Sequence, residues 1–395
     1  MTAVARGPGK TGRCSNRSRF GNGKLSLTTT EEWRYAYYRL LANAQTGAMH
    51  CRIIPQRGDL LFRTALFLLI PIAVMNGQRK SDNPLDHLPA NVEMITHFGE
   101  RADFSPDNQS IAFMNKSFGD AFVIDLKTHD IRCLTCSVPG TAFLRVMHLK
   151  SGDYILIGPE RYTDLRASRR RDNELWFLSK KIGSKPIRLG RKMSEGIAIS
   201  KTSMNVSYSV LPEQDPSLNP EHSKLFVAEI DLMGTPSIKN EKLVYESQSR
   251  DCRLEAQDFF DNDKKMTFTC YEPKGLASAM TIDLATSKVE NMSKAPGTYN
   301  ECEGVFPDGK FTLVEADRQV DKLGGDRGSH NIDIWKLRLD GTGKDFQRLT
   351  FFNDYEGFKA SNPVISTDGK LMGFQLARTV DEAGVGYGIL LYKLK

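Results

Sequence analysis

VFPDGKFTLVEADR, residues 305–318, runs from two apolar residues through a Pro-Asp-Gly turn into an alternating strand and ends on an acidic cluster. Apolar alternation on both sides of a tight turn is the pattern of a β-hairpin. The hairpin does not stand alone. DFSPDNQSIAFMN (103–115) and VISTDGKLMGFQ (364–375) repeat it closely, and FFDNDKKMTFTC (259–270), HLKSGDYILIG (148–158) and ISKTSMNVSYS (199–209) are degenerate copies. A third strand with an Asp-Leu-like turn follows most of them, as in AFVIDLKTHD (121–130), AMTIDLATSK (279–288) and DIWKLRLDGTG (333–343). A short fourth strand often comes next, as in IRCLT (131–135) and FQRLT (346–350).

The unit is therefore four antiparallel strands, recurring about six times with a period of about 50 residues. That spacing predicts an all-β fold, a six-bladed β-propeller over residues 91–395, whose closure protects the strand edges. The last copy ends after its third strand at GILLYKLK (388–395), while NVEMITHFG (91–99) precedes the first hairpin and reads as a spare fourth strand. The N-terminal strand is expected to complete the last blade.

The front of the chain reads differently. The 395 residues carry a formal charge of +6, but residues 1–64 hold eleven Lys/Arg against three Asp/Glu, so the remainder is close to neutral with mixed signs. Phosphate-tracking surfaces need a concentrated basic face, and nucleic acid is excluded as a partner on that ground. LFRTALFLLIPIAVMNGQ (61–78) has an apolar run from Ala65 to Met75, interrupted by Pro71. This is too short for the roughly 20 apolar residues of a transmembrane helix, and no other anchor is expected. With Arg52, Arg57 and Arg63 before it and Gly77 as a small residue at its end, it fits a secretory signal peptide. The expected organisation is a basic extension or mis-started segment over 1–48, a signal peptide over 49–78, a linker over 79–90, and the propeller. The expected location is the periplasm or another exported compartment of the envelope.

The exported part retains Cys133, Cys136, Cys252, Cys270 and Cys302, an odd number for an oxidising compartment. CLTC (133–136) has zinc-knuckle spacing but no second ligand pair at a suitable distance. A disulfide among Cys252, Cys270 and Cys302 would brace one face, and the sequence leaves the pairing open.

The FSPD…IAF motif with its following IDL and RLT resembles the PD40 (WD40-like) repeat of TolB-type propellers, and residues 329–378 resemble exported bacterial PD40 proteins of unassigned function. The resemblance implies a periplasmic, protein-binding propeller. The related oligogalacturonate lyases use histidine metal ligands at the propeller mouth. Here His87, His97, His129, His148, His222 and His330 fall at scattered repeat positions, a departure from that pattern.

Loops joining second to third strands are long in four repeats, at 159–173, 211–224, 315–331 and 377–388. Elaboration on one face of a rigid scaffold marks a binding surface. Registering each first strand on the hydrophobe before its turn puts Glu100, Leu144, Glu195, Glu255, Glu301 and Ser361 at one position, four residues earlier. First strands line the central channel, so a partial ring of carboxylates is expected near the elaborated mouth. Arg101, Arg145, Asp258, Glu303, Glu315, Asp317, Arg318, His330 and Asn362 belong to the same neighbourhood. Such a ring could hold Ca²⁺ through hard oxygen ligands, hydrogen-bond sugar hydroxyls, or supply an acid/base pair.

The sequence contains no nucleophile elbow, P-loop, dinucleotide fingerprint or H-E-x-x-H. The expected function is a monomeric, non-catalytic binding module for a protein or glycan partner. A carbohydrate-active lyase or hydrolase using Glu255, Glu301, Glu303 or Glu315 is the alternative.

Overall fold

The computed structural model describes residues 77–394 apart from 141, 382 and 383. The proposed signal peptide and basic extension lie outside the described residues, except for Gly77 and Gln78. Among the described residues no helix is long and apolar enough to cross a membrane.

Among the described residues, twenty-four strands form six antiparallel four-stranded sheets. β1 is Val92–Thr96. The first blade holds β2 (Glu100–Phe104), β3 (Ser110–Met114), β4 (Ala121–Asp125) and β5 (Ile131–Cys133), and the second holds β6 (Arg145–His148), β7 (Tyr154–Pro159), β8 (Asn173–Leu178) and β9 (Ile187–Lys192). The third blade runs through β10 (Ile197–Ile199), β11 (Asn205–Val210), β12 (Ser223–Asp231) and β13 (Ser237–Ser247). The fourth comprises β14 (Arg253–Phe260), β15 (Lys265–Glu272), β16 (Leu276–Asp283) and β17 (Val289–Asn291). The fifth comprises β18 (Asn300–Val305), β19 (Phe311–Ala316), β20 (Asp333–Arg338) and β21 (Phe346–Arg348). The sixth has β22 (Phe358–Ile365), β23 (Leu371–Arg378) and β24 (Ile389–Lys393), with β1 paired antiparallel to β24 as its outer strand. The expected ring closure by the N-terminal strand is what the pairing gives.

The repeated motif has a local cause. In the first-to-second strand turn, the Ser105 hydroxyl donates to Asp107 (2.6 Å) and accepts from the Ser110 amide (3.0 Å). Ser366, Asp368 and Leu371 repeat those contacts in the sixth blade. Asn108, Gly309 and Gly369 take the left-handed conformation (φ 57°, 66° and 72°) that the turn requires and that Asn and Gly accept most readily. In the third-to-fourth strand turn, Asp125 accepts from the Lys127 and Thr128 amides (both 2.8 Å), and Asp283 does the same for Ala285 and Thr286. The following Leu126 and Leu284 amides tie that turn back to the first-to-second strand turn.

Packing is between blades. Phe104, Ile111, Phe113 and Ile124 of the first blade share a cluster with Ile389 and Leu391 of the sixth. Ile155, Ile157 and Phe177 of the second meet Val206, Tyr208 and Ile230 of the third, and the remaining four blade-to-blade interfaces are filled in the same way. The apolar alternation in the sequence is the imprint of these interfaces. The start of the segment expected as a linker over 79–90 is hydrogen-bonded to the connection between the fifth and sixth blades. Arg79 donates to the Asn353 carbonyl (3.0 Å) and its side chain (3.1 Å), and the Lys80 amide donates to Asp354 (2.8 Å).

Candidate functional site

First strands bend where they meet the channel. Pairing shifts register between Glu100 and Asp103, Ala256 and Asp258, Cys302 and Val305, and Ser361 and Val364. Such bulges re-aim side chains and unpair a backbone amide. The freed amides reach to the preceding blade's second strand. Arg101 N donates to Gln375 Oε1 (2.7 Å), Cys302 N to Thr269 Oγ1 (3.2 Å), and Asn362 N to Glu315 Oε1. Arg101 and Asn362 hold positive φ (55° and 49°) to do so. Glu315 is thus an inter-blade lock as well as a channel carboxylate.

The bulges deliver Glu100, Glu255, Glu301 and Glu303 to one cavity of about 480 Å³, joined by Arg101, Arg145, Glu195, Glu315, His330, Ser361 and Asn362. Ten of the thirteen residues expected to give the mouth its polar chemistry therefore meet there, with Ser361 beside them, and Leu144 is buried against Phe118 and Ala142. Asp258, Asp317 and Arg318 fall elsewhere. Asp258 lines a second cavity of about 240 Å³ towards the opposite face and accepts from Val305 N (2.7 Å). Asp103 does the same for His148 N (2.6 Å), and Lys201 bridges both its oxygens (2.9 and 3.0 Å). Asp317 is fully buried in its loop, holding Gly328 N (2.8 Å) and Arg327 (3.1 Å). The Arg318 guanidinium lies 3.8 Å above the Phe346 ring, on the outer strand.

The mouth carboxylates are held in unequal ways. Glu301 accepts hydrogen bonds from the Tyr271 and Tyr299 hydroxyls, and Glu100 accepts from Ser117 (2.7 Å). Arg169 donates to Glu195 (2.7 Å), with Arg101 at 3.7 Å on the same carboxylate. Glu255 and Glu303 are 3% and 7% exposed and accept no hydrogen bond from any described residue. Arg145, between them and the second cavity, makes no hydrogen bond or ion pair with a described residue. Arg101, Arg145 and Glu303 line both cavities and form the channel's waist.

Charge states follow from that placement. Burial, then Glu195 and Glu301, push the Glu255 carboxyl up to about 8. Burial and Glu301 push Glu315 up to about 8 as well. Burial, Glu301 and Glu315 raise Glu303 well above the carboxylate range. Glu195 goes the other way: burial opposes its charge, but Arg169 and Arg101 outweigh it and lower its pKa. Burial likewise opposes Arg145, and Glu303 and Glu255 more than restore its charge. Gly196 explains how Glu195 and Glu255 come together, because a Cβ there would stand 2.0 Å from Glu255 Cγ.

No three of these carboxylates bring oxygens within 4.8 Å of one another; the one such group of metal-ligating types among the described residues is Asp120, Cys133 and Cys136. Those two cysteines are bridged to each other, and Cys252 is bridged to Cys270. Cys302 is fully buried and its thiol is pushed up to about 12 by burial, so it offers no nucleophile. His330 sits on the rim, its Nδ1 2.8 Å from the Thr379 carbonyl.

Sequence reading missed Arg169, Arg170, Glu213, Arg253, Tyr271, Tyr299 and Lys359, all of which line the mouth. The Arg169–Arg171 run in the longest second-blade loop was the one visible signal. Arg253 pairs with Glu213 (2.6 Å) and Lys359 donates to the Ser329 carbonyl (2.8 Å), each joining neighbouring elements across the rim.

No protein-family model and no curated protein matches this chain. Solved structures similar to it include TolB from Acinetobacter baumannii, at 15% identity and a TM-score of 0.42, covering 74% of this chain and 63% of that one. The putative TolB from Agrobacterium tumefaciens is 11% identical over 76% of this chain and 91% of that one, with a TM-score of 0.35. An oligogalacturonate lyase in complex with manganese is 11% identical over 75% of this chain and 78% of that one, with a TM-score of 0.45. This chain thus spans less than two thirds of the Acinetobacter TolB structure. The propeller architecture, its blade count and its closure rest on the strand pairing above.

Proposed function

We propose that this chain is an exported binding module whose protein or glycan partner docks on the long-loop face and places a polar group in the channel mouth. The observation that carries this reading is the trio Glu255, Glu303 and Arg145. Buried polar groups are ordinarily hydrogen-bonded; no described residue hydrogen-bonds these carboxyl and guanidinium groups, and Arg145 Nε is buried without a partner among them. Hydroxyl or amide groups of a ligand, donating to the carboxyl oxygens and accepting from the guanidinium, would satisfy them. Sugar hydroxyls and peptide groups both have that dual character. Export is supported by the two disulfides, which persist in oxidising compartments, and by the signal-like sequence 61–78.

A second reading is favoured by one observation, the opposite displacement of Glu195 and Glu255. Two carboxyls side by side, one held ionised by arginines and one kept protonated by burial, form an acid/base pair of the kind glycosidic chemistry uses.

The test is a thermal-shift series with neutral and acidic oligosaccharides, short peptides, and Ca²⁺ with and without EDTA. Ca²⁺ is included because carboxylate oxygens are its preferred ligands. A ligand of the mouth raises the melting temperature by mass action, and the shift disappears in Glu303→Gln and Arg145→Gln. A shift retained in both variants removes the mouth from the argument. Turnover of a hit, with a pH profile set by two groups and lost in Glu255→Gln, would establish the second reading.

A further inference from the structure

We infer that Cys133 and Cys136 form a thiol–disulfide exchange site, opened by a dithiol or by glutathione, while Cys252 and Cys270 form a structural bridge. The two pairs differ in place and surroundings. Cys252–Cys270 joins the approach to β14 with β15 across 18 residues, and Cys270 is 6% exposed. Cys133–Cys136 closes a turn of three residues at the outer edge of the first blade, with Cys136 exposed and Cys133 half-buried. A bridge over so short a loop constrains the unfolded chain little.

The turn also holds its shape without the bridge. Leu134 is packed in the interface between the first two blades, and its amide donates to the Ala121 carbonyl (2.8 Å). Thr135 is fully buried, donates to Asp120 (2.7 Å) and accepts from Ala121 N (3.0 Å). The two residues between the cysteines are therefore anchored inward, and the sulfurs project outward. Structural demand does not account for this disulfide.

Its chemistry is asymmetric in the way exchange requires. The Cys136 amide donates to Cys133 Sγ (3.0 Å). A thiolate of the incoming dithiol attacks the exposed Cys136 sulfur, the Cys133–Cys136 bond breaks, and its electron pair leaves on Cys133. The amide hydrogen bond stabilises that thiolate, as charge-assisted hydrogen bonds do. The second thiol of the dithiol then attacks its own sulfur in the mixed disulfide and releases Cys136. The dithiol ends as a disulfide, and the protein gains two electrons and two protons. Asp120 places a carboxylate oxygen within 4.8 Å of both sulfurs, and the two protons come from the incoming dithiol.

The experiment equilibrates the folded protein in glutathione buffers of graded ratio, quenches with acid, alkylates, and counts labelled cysteines by peptide mass spectrometry. Cys133 and Cys136 are expected to open together at a buffer at least tenfold less reducing than the one that opens Cys252–Cys270. With glutathione disulfide, Cys133→Ser is expected to collect the mixed disulfide on Cys136 faster than Cys136→Ser collects it on Cys133. Removing both Cys133 and Cys136 should leave the melting temperature nearly unchanged, unlike removal of Cys252 and Cys270. Equal resistance of the two bridges to glutathione, or an equal loss of melting temperature, would overturn the assignment.

Discussion

Replacing Glu255 by glutamine tests the electrostatics of the mouth through stability alone. Burial, with Glu195 and Glu301 beside it, keeps the Glu255 carboxyl protonated up to about pH 8, whereas a glutamate in an unfolded chain ionises near about pH 4.3. Between those limits the folded protein holds a proton that the unfolded chain has released. Stability therefore falls as pH rises through that window, by at most about 1.4 kcal/mol per pH unit for one such site. From pH 5 to pH 8 this sums to an upper bound of about 4 kcal/mol. Glu303 and Glu315 titrate in the same field, so the share owed to Glu255 is about 2 kcal/mol. Glutamine resembles the protonated acid and cannot ionise. Glu255→Gln should match the wild type at pH 5 and melt about 4 °C higher at pH 8, taking about 2 °C per kcal/mol for a large domain. Calorimetric scans at half-unit pH steps read the difference directly. A difference that does not change with pH would mean that the carboxyl is already ionised at pH 5, and the account of an unpartnered buried acid would fail.

Other parts of the channel give separate tests. Glu315→Ala leaves the Asn362 amide without its acceptor and should cost about 1–3 kcal/mol, while Glu315→Gln keeps an acceptor and costs much less; urea melts distinguish them. Lys201→Met strands the Asp103 carboxylate that it bridges, with an expected loss of about 3–5 kcal/mol at pH 7. Asp103 has a lowered pKa, through Lys201 and His148 acting against burial, so its contribution is lost as pH falls through the acid range, and the deficit of Lys201→Met should narrow there. Gly196→Ala drives a methyl group into Glu255 and should cost about 1–3 kcal/mol, together with any thermal shift from a mouth ligand.

The fold was legible because a propeller repeats its instructions. Each copy of the Pro-Asp-Gly turn and the Asp-Leu turn is a local hydrogen-bond device, and a local device survives in sequence. The position of Glu100, Glu255 and Glu301 was legible for the same reason, since a register counted from the turn hydrophobe is constant in every blade. Asp258 shows where counting stops. It stands three residues beyond Glu255, and at about 3.3 Å per residue along a strand that carries it some way down the channel, past a bulge that no periodicity announces. Its carboxylate ends in the opposite cavity, fixing the next blade's backbone. Tyr271, Arg169 and Lys359 were invisible for another reason. They come from strand ends and loops outside the shared register, and only the packing of neighbouring blades brings them against Glu301, Glu195 and Glu315.

Ring closure sets the order in which this protein can be made. The Ile389 amide donates to the Thr96 hydroxyl across 293 residues of chain, so the sixth sheet cannot be assembled until nearly the whole propeller has been synthesised. A chain whose seam joins such distant segments folds slowly, because loop closure must precede the contacts that reward it. Under the export proposed above, in which the chain would cross a membrane as an extended polymer, that delay would be useful. The open ring remains a string of incomplete sheets, fit for translocation, and the seam can close on the far side.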